Sequence, residues 1–248
     1  MNISHGYRIL HIAETDSTNA EARRLITNGE SGDRLLLWTD YQLAGKGQAG
    51  NHWESERGKN LLFTLCLQPS ELLPQDQFLL SEITSLAVCT ALNEIVQGFT
   101  IKWPNDIYYE NKKVCGILIE HILTFSKILQ SFIGIGINVN QKNFLSDATN
   151  PVSIAQIIGK TIERRMVLDT FLHQFHDYRE LLLSGQTATI EQTYRKWLFR
   201  KDGMHTYRDK DGEFHARIMN IGHDGQLILE DSIQQVRCYA FKEVEFVL

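Results

Sequence analysis

Few of the features that staple, anchor or export a chain occur in this sequence. Its four cysteines, Cys66, Cys89, Cys115 and Cys238, lie far apart with no C-x-x-C pair, which argues against a zinc or disulfide frame and suits reduced packing thiols. There is no apolar run near the N-terminus long enough for a signal peptide, and no later stretch approaches about eighteen consecutive apolar residues, so a cytoplasmic location is expected. Positive charge is not in excess: 25 Lys and Arg stand against 30 Asp and Glu, which gives no general attraction to nucleic acid or to anionic lipid. The phosphate loop G-x-x-x-x-G-K-[ST] is absent as well, so any nucleotide must be held by other means.

What is present is an ordinary globular chain of 248 residues, 43% of them hydrophobic, enough for one large core or two unequal ones. Tyr7 to Ile12 reads as a strand, and Asp16, Ser17 and Thr18 offer N-cap oxygens for a short helix through Ala20, Ala22, Leu25 and Ile26. Leu35 to Trp38 and Leu61 to Leu67 are apolar strands on either side of a polar, glycine-bearing stretch, Gln42 to Lys59. Phe78 to Val96 repeats at helical spacing and stops near Gly98. Thr100 to Tyr109, Val114 to Leu123 and Leu129 to Val139 read as an antiparallel meander, and helical spacing returns at 153–158, 167–183 and 190–197. The architecture expected is α+β: a largely antiparallel sheet packed by helices over residues 1–198. From about Phe199 the texture changes to short alternating segments with Asp211-Gly212 and Asp224-Gly225 turn signals, the pattern of a small β-barrel over 199–248. With seven basic and nine acidic residues, that tail offers little grip on nucleic acid.

Two segments carry chemistry. Gly45-Lys46-Gly47-Gln48-Ala49-Gly50 fits G-x-G-x-x-G, but no apolar helix opens at its last glycine, so the dinucleotide-binding reading fails on context. A mobile surface loop is the plainer alternative. A lone lysine between glycines, with Trp53 just beyond, favours a functional one, because bare backbone can approach an anion while the indole offers a stacking face. Further on, Lys102-Trp103-Pro104-Asn105-Asp106 places a proline in an extended run, and a hairpin would bring Lys113 to the same sheet end as Asp106. Spacing alone leaves open whether that pair is functional or a simple cross-strand ion pair.

Taken together, Ser17-Thr18-Asn19, the loop Ala44 to Trp53, Lys102 to Asp106 with the following Lys113-Val114-Cys115-Gly116-Ile117-Leu118, and Gly134 to Asn140 resemble the biotin–protein ligases. The match spans most of residues 7 to 197, and the tail is similar, less specifically, to the SH3-like domain that ends those enzymes. The resemblance implies an ATP-dependent ligase that forms biotinyl-AMP and transfers biotin to a lysine of a biotin carboxyl carrier protein. It places Ser17, Thr18, Asn19, Gln42, Gly45, Lys46, Gly47, Gln48, Lys113 and Gly116 around biotin, and Trp53, Asn105, Asp106 and Asn138 around the nucleotide. Lys113 is the implied catalytic lysine, with Asp106 facing Mg2+; because an attacking lysine must lose a proton, Asp106 is also expected to act catalytically as its acceptor. The resemblance is to the form without an N-terminal DNA-binding module, since the catalytic pattern begins near Tyr7. No nucleic-acid or membrane partner is expected, and a homodimer is left open. One departure stands out: the family loop interleaves glycines with several arginines, whereas here Lys46 is followed by Gln48, Ala49 and Asn51. Competing readings are a lipoate or octanoate transfer enzyme of the same fold, and a non-catalytic partner-binding module. His173 and His176, three apart on a helix, lack the further ligands a metal site needs.

Overall fold

The computed structural model describes residues 2–145 and 150–248. Eight strands form one sheet: β1 (Asn2–Ser4), β2 (Tyr7–Ile12), β3 (Leu35–Thr39), β4 (Leu61–Leu67), β5 (Phe99–Lys102), β6 (Asp106–Tyr109), β7 (Lys112–Leu123) and β8 (Ile128–Ile137). Their spatial order is β1-β2-β3-β4-β8-β7-β6-β5. Every pairing is antiparallel except β2 with β3, which α1 (Thr18–Thr27) connects as a crossover.

Hydrophobic alternation explains the two faces. On β3, Leu36 faces the large core, whereas Leu35 and Leu37 point the other way and pack with Ala22 of α1, Cys66 and Phe132. All seven residues of β4 are buried because this central strand is covered on both sides, and its unbroken apolar run reflects that. On the large-core face lie α2 (Phe78–Ile95), α4 (Arg164–Leu183) and α5 (Thr187–Lys196), while the short α3 (Ile154–Ile158) opens with a Ser153/Gln156 capping box. Wedged against both α4 and α5, α2 is buried nearly all round, which accounts for a helix long and apolar enough to pass as a membrane span.

Two details depart from the sequence reading. Residues 100–109 are not one strand: the chain reverses at 103–105, where the Trp103–Pro104 peptide is cis, and β5 pairs with β6 through Lys102 opposite Asp106. Pro104 has no N–H for a ladder, so the run becomes a tight hairpin. In α1, Ser17 occupies the N-cap but makes no side-chain capping bond. Asp16 instead accepts from the Ser17 N–H at 2.8 Å, and Thr18 turns inward.

The C-terminal unit is a five-stranded antiparallel sheet ordered β12-β11-β10-β9-β13, built from β9 (His205–Asp209), β10 (Gly212–Ile221), β11 (Leu227–Asp231), β12 (Val236–Tyr239) and β13 (Glu245–Phe246). It docks on the larger unit through aromatic contacts, Phe241 lying 5.4 Å from Trp103 and 6.0 Å from Phe78 between ring centroids. The Trp103 indole N–H donates to the Gly225 carbonyl at 2.8 Å. Gly225 has φ +87°, and a Cβ there would lie 2.5 Å from the Phe78 ring, so both the turn and the contact require glycine.

Candidate active site

The floor of the site is made by what β7 and β8 lack. Gly116 lies opposite Gly136, and Gly134 opposite Leu118. A Cβ on Gly136 would lie 2.5 Å from Trp53 Cε2, one on Gly116 2.9 Å from Trp53 Cζ3, and one on Gly134 2.7 Å from Asn19 Oδ1. The glycines therefore clear a shelf on which Trp53 and Asn19 rest. Their G-I-G-I alternation sends both β8 glycines to one face and the isoleucines to the core, a signal legible in the sequence although only Lys113, Gly116 and Asn138 are given site roles there from these two strands and their exit.

A polar wall rises from the start of α1. Gln42 Oε1 accepts from the Thr18 N–H at 2.7 Å and lies 3.1 Å from the Thr18 hydroxyl. Buried Thr64 places its hydroxyl 2.8 Å from Thr18 Oγ1 and 2.6 Å from Asn19 Oδ1, and Asn19 donates to Glu120 at 2.7 Å. These groups are fixed before any ligand arrives, and together they present donors and acceptors to a compact polar ring system.

Opposite stands the hairpin of β6 and β7. The Lys113 ammonium meets the Asp106 carboxylate at 2.6 Å, both largely shielded from water. A register shift between Ile107 and Tyr108 sets Lys113 against Tyr108 in the ladder, and its side chain leans back to Asp106. The strand end is laced to the 150–152 segment by Lys113 N–H to Asn150 O and Val152 N–H to Lys113 O, each 2.9 Å. Asn105 donates to Ile117 O at 2.5 Å and receives the Ile117 N–H at 3.0 Å on its own carbonyl. Lys102 also reaches the site; burial pushes its ammonium below the usual lysine pKa, and it lies 5.2 Å from the Tyr108 ring centroid and 5.0 Å from that of Phe246.

The loop over the site is a small pinched excursion. Lys46 bridges His52, the Gly47 N–H donates to Asn51 O at 2.7 Å, and the Trp53 N–H to Gly45 O at 2.9 Å. Gly45 is buried, and a Cβ there would fall 2.8 Å from Trp53 O. Gln48 to Gly50 makes one 3-10 turn, too short for the helix a dinucleotide fold requires. Behind Trp53, Asn60 donates to Gln141 at 2.6 Å and lies 3.5 Å from Asn138 Oδ1, while Gln141 donates to Glu54 at 3.1 Å. The Trp53 indole N–H is buried close to Gly136 without a hydrogen-bond partner.

The glycine shelf, the polar wall, the hairpin and the loop each contribute lining to one cavity of about 670 Å3. It brings together Ser17, Thr18, Asn19, Gln42, Lys46, Gly47, Gln48, Trp53, Asn105, Asp106, Lys113, Gly116 and Asn138, whereas Gly45 supports the loop from behind. Gly134 and Gly136, quoted in a motif block but given no site role by the sequence reading, join them, as do Tyr108, Phe144 and Pro151, which that reading does not assign to the site. Three cysteines are buried; burial pushes the Cys66 thiol up to about 12. His173 and His176 pack against His5, and among the described residues no group of three or more His, Cys, Asp or Glu could hold a metal ion.

Residues 12–138 match the model of the biotin/lipoate A/B protein ligase family. The chain is 31% identical over 226 residues to a biotin–[acetyl-CoA-carboxylase] ligase of Paracoccus denitrificans, covering 88% of this chain and 92% of that protein. It is 30% identical over 233 residues to the bifunctional ligase/repressor BirA of Bacillus subtilis, covering 91% of this chain and 70% of that protein. The solved biotin protein ligase from Aquifex aeolicus in complex with biotin and ATP superimposes with a TM-score of 0.80 at 24% identity, over 97% of this chain and 99% of that one. On the family model, on the relatives and on a fold shared end to end, the chain belongs to the biotin/lipoate A/B protein ligase family.

Proposed function

We propose that the protein is a biotin–protein ligase, which joins biotin to AMP and then passes the biotinyl group to a lysine of a biotin carboxyl carrier protein. One observation carries the reading: the polar wall at Thr18, Asn19 and Gln42, the Lys113–Asp106 pair and the Trp53 indole line a single cavity. The wall suits a ureido ring, and the indole and glycine shelf suit an acyl-adenylate. The relatives named biotin ligases support the same choice.

Biotin's carboxylate is already ionised at neutral pH, so adenylation needs no general base. A carboxylate oxygen bonds to the α-phosphorus while the bond to pyrophosphate breaks, and the difficulty is the repulsion between two anions. Lys113 would offset that charge from a shielded position, where a fixed ammonium acts more strongly than in water. In the second step an amine attacks the acyl carbon, a C–N bond forms, and AMP departs with the electrons of the broken C–O bond. The attacking lysine must lose a proton, and Asp106 is the carboxylate nearest in chemistry to that task.

A magnesium ion is expected with the nucleotide. The described residues offer no ready-made protein cage, but Asp106 and Asn105 provide the one or two oxygen donors that such an ion takes beside phosphate oxygens and water. Bound there, it would neutralise phosphate charge. Biotin-dependent exchange of labelled pyrophosphate into ATP tests the proposal; exchange supported by lipoate but not by biotin would move the assignment to the lipoate branch, and no exchange with either would end the ligase reading.

A further inference from the structure

The hydrogen bonds of the polar wall run in a fixed direction, and two residues outside the cavity set it. Strand alternation puts Glu120 in the same row of β7 as Gly116 and Leu118; those two line the cavity, whereas Glu120 does not. Its carboxylate lies 2.7 Å from Asn19 Nδ2 and 3.6 Å from the Arg23 guanidinium, which itself sits over the Phe132 ring at 4.2 Å. Thr64, fully buried on the central strand β4, is likewise outside the lining.

Counting protons gives each link of this chain its sense. A carboxylate only accepts, so Glu120 requires the Nδ2 end of Asn19 and leaves Oδ1 for the other side. Oδ1 also only accepts, so the single Thr64 proton goes to it, at 2.6 Å. The Thr18 N–H only donates, which fixes Gln42 Oε1 beside it at 2.7 Å. The Thr18 hydroxyl then has two acceptors in reach of its own proton, Gln42 Oε1 at 3.1 Å and Thr64 Oγ1 at 2.8 Å. Whichever takes it, Thr18 turns lone pairs to a ligand. Asn19 does the same: a Cβ on Gly134, which lines the cavity, would lie 2.7 Å from its Oδ1 and 3.2 Å from its Nδ2, so the oxygen is the nearer end.

We propose that Glu120 is a positioning residue for substrate selection: by holding the Asn19 amide in one sense it turns acceptors to the cavity, and so favours ligands whose ring carries N–H donors. The inference rests on the ligase reading above, in which that ring is a cyclic urea with two N–H groups. The dithiolane ring of lipoate has none, and binding it would strand both acceptors out of water. Without Glu120 the Asn19 amide keeps only the 3.5 Å contact of Nδ2 with Leu118 O to hold its sense, because the Thr64 hydroxyl can face either end. A half-turn of the amide would then show the ligand a donor.

The test compares substrates within one protein. Glu120→Leu removes the carboxylate at a partly exposed position, where the fold does not depend on it. The probes are biotin and its two cyclic-carbamate analogues, in each of which one ring N–H is replaced by oxygen, with kcat and KM read from pyrophosphate exchange. Wild type should prefer biotin to at least one carbamate by about a hundredfold or more in kcat/KM. Glu120→Leu should cut that preference about tenfold or more, through a higher KM for biotin without a matching rise for the carbamate, and with KM for ATP within about twofold of wild type. Thr64→Ser, which keeps the hydroxyl, should keep the preference. A role in packing alone would weaken biotin and carbamate in parallel, so an unchanged preference in Glu120→Leu overturns the proposal, as does a wild-type protein that does not distinguish the analogues. A large fall in melting temperature with loss of both substrates would give Glu120 to the fold and overturn it too. Absence of exchange with biotin in the wild-type protein would instead remove the ligase reading itself.

Discussion

The glycine loop and the β5–β6–β7 hairpins confront each other across one cavity, yet they are held in opposite ways. The hairpin side is tied to distant parts of the chain: Ile101 exchanges backbone bonds with Trp197 and Phe199 at 2.8 Å each, Tyr194 donates to Pro104 O at 3.4 Å, and Trp103 is bonded to Gly225. Across the glycine loop, the Lys46–His52 bridge and the Gly47–Asn51 and Gly45–Trp53 bonds join the loop to itself, with Lys46, Gly50, Asn51 and His52 exposed. Preorganised charge needs an anchored support, whereas a cover that admits and releases ligand needs a weakly tied one. On the proposed ligase reading, the two regions would divide these tasks.

The largest expected effect comes from breaking the anchored side. Lys113→Ala should cut pyrophosphate exchange by about 10²–10³-fold or more while leaving the melting temperature within a few degrees, because the ammonium contacts Asp106 and the cavity, not the core. Exchange within threefold of wild type would place the cation elsewhere.

Asp106→Asn sharpens the same side by separating charge from shape. Transfer from preformed biotinyl-AMP should fall about tenfold to a hundredfold and its pH–rate profile should lose a limb, since an amide cannot accept the lysine's proton. A profile of unchanged shape would assign Asp106 to positioning Lys113.

For the weakly tied side, Lys46 is the single trypsin site between Arg34 and Arg57, so cleavage there reports loop opening. Biotin with ATP and magnesium should slow the cut several-fold, and biotin alone should slow it less, because the adenylate adds contacts at Trp53. With Lys46 as the single Lys or Arg between Gly45 and Trp53, protection should weaken as salt rises. Equal rates with and without both ligands, at concentrations that saturate exchange, would show that the loop is no lid.

The smallest effect on activity concerns packing behind the hairpins. Glu82 on α2 is buried with Oε2 unpartnered, and burial, helped by the nearby Glu191 charge, pushes its carboxyl up to about 8. An acid raised in the folded state keeps its proton while the unfolded chain releases it, so stability is lost as pH climbs from about 4.5 toward about 8. Glu82→Gln should therefore leave stability near wild type at pH 4.5 and raise it at pH 8 by roughly 2–4 kcal/mol, read by chemical denaturation, with the Lys46 cleavage rate unchanged. Equal stability gains at both pH values would remove the titration account.

Local chemistry wrote much of the site visibly into the sequence. Gly116, Gly134 and Gly136 lie on strands whose period of two puts them on the cavity face, and the seven-residue step from Asp106 to Lys113 allows a hairpin to join them. Less legible were the partners that make those residues usable. Thr64 supports Thr18 and Asn19 from 46 and 45 residues away, and Asn60 meets Gln141 across 81. Nothing in the spacing of these polar residues distinguishes them from surface ones, because they become buried partners when β4 pairs with β8.

What the sequence determined by itself was therefore the alternation of strands, the long apolar α2 and the ordered blocks that carry the chemistry, all of which depend on residues a few positions apart. Tertiary structure alone decided that β2 and β3 run parallel, that 100–109 folds back on itself, that Trp103 is clasped by Gly225 from 122 residues away, and that Glu120 meets Asn19 across 101 residues. These features arise where separate elements meet, and the free energy that selects them comes from burying the joint surface, which no single segment encodes.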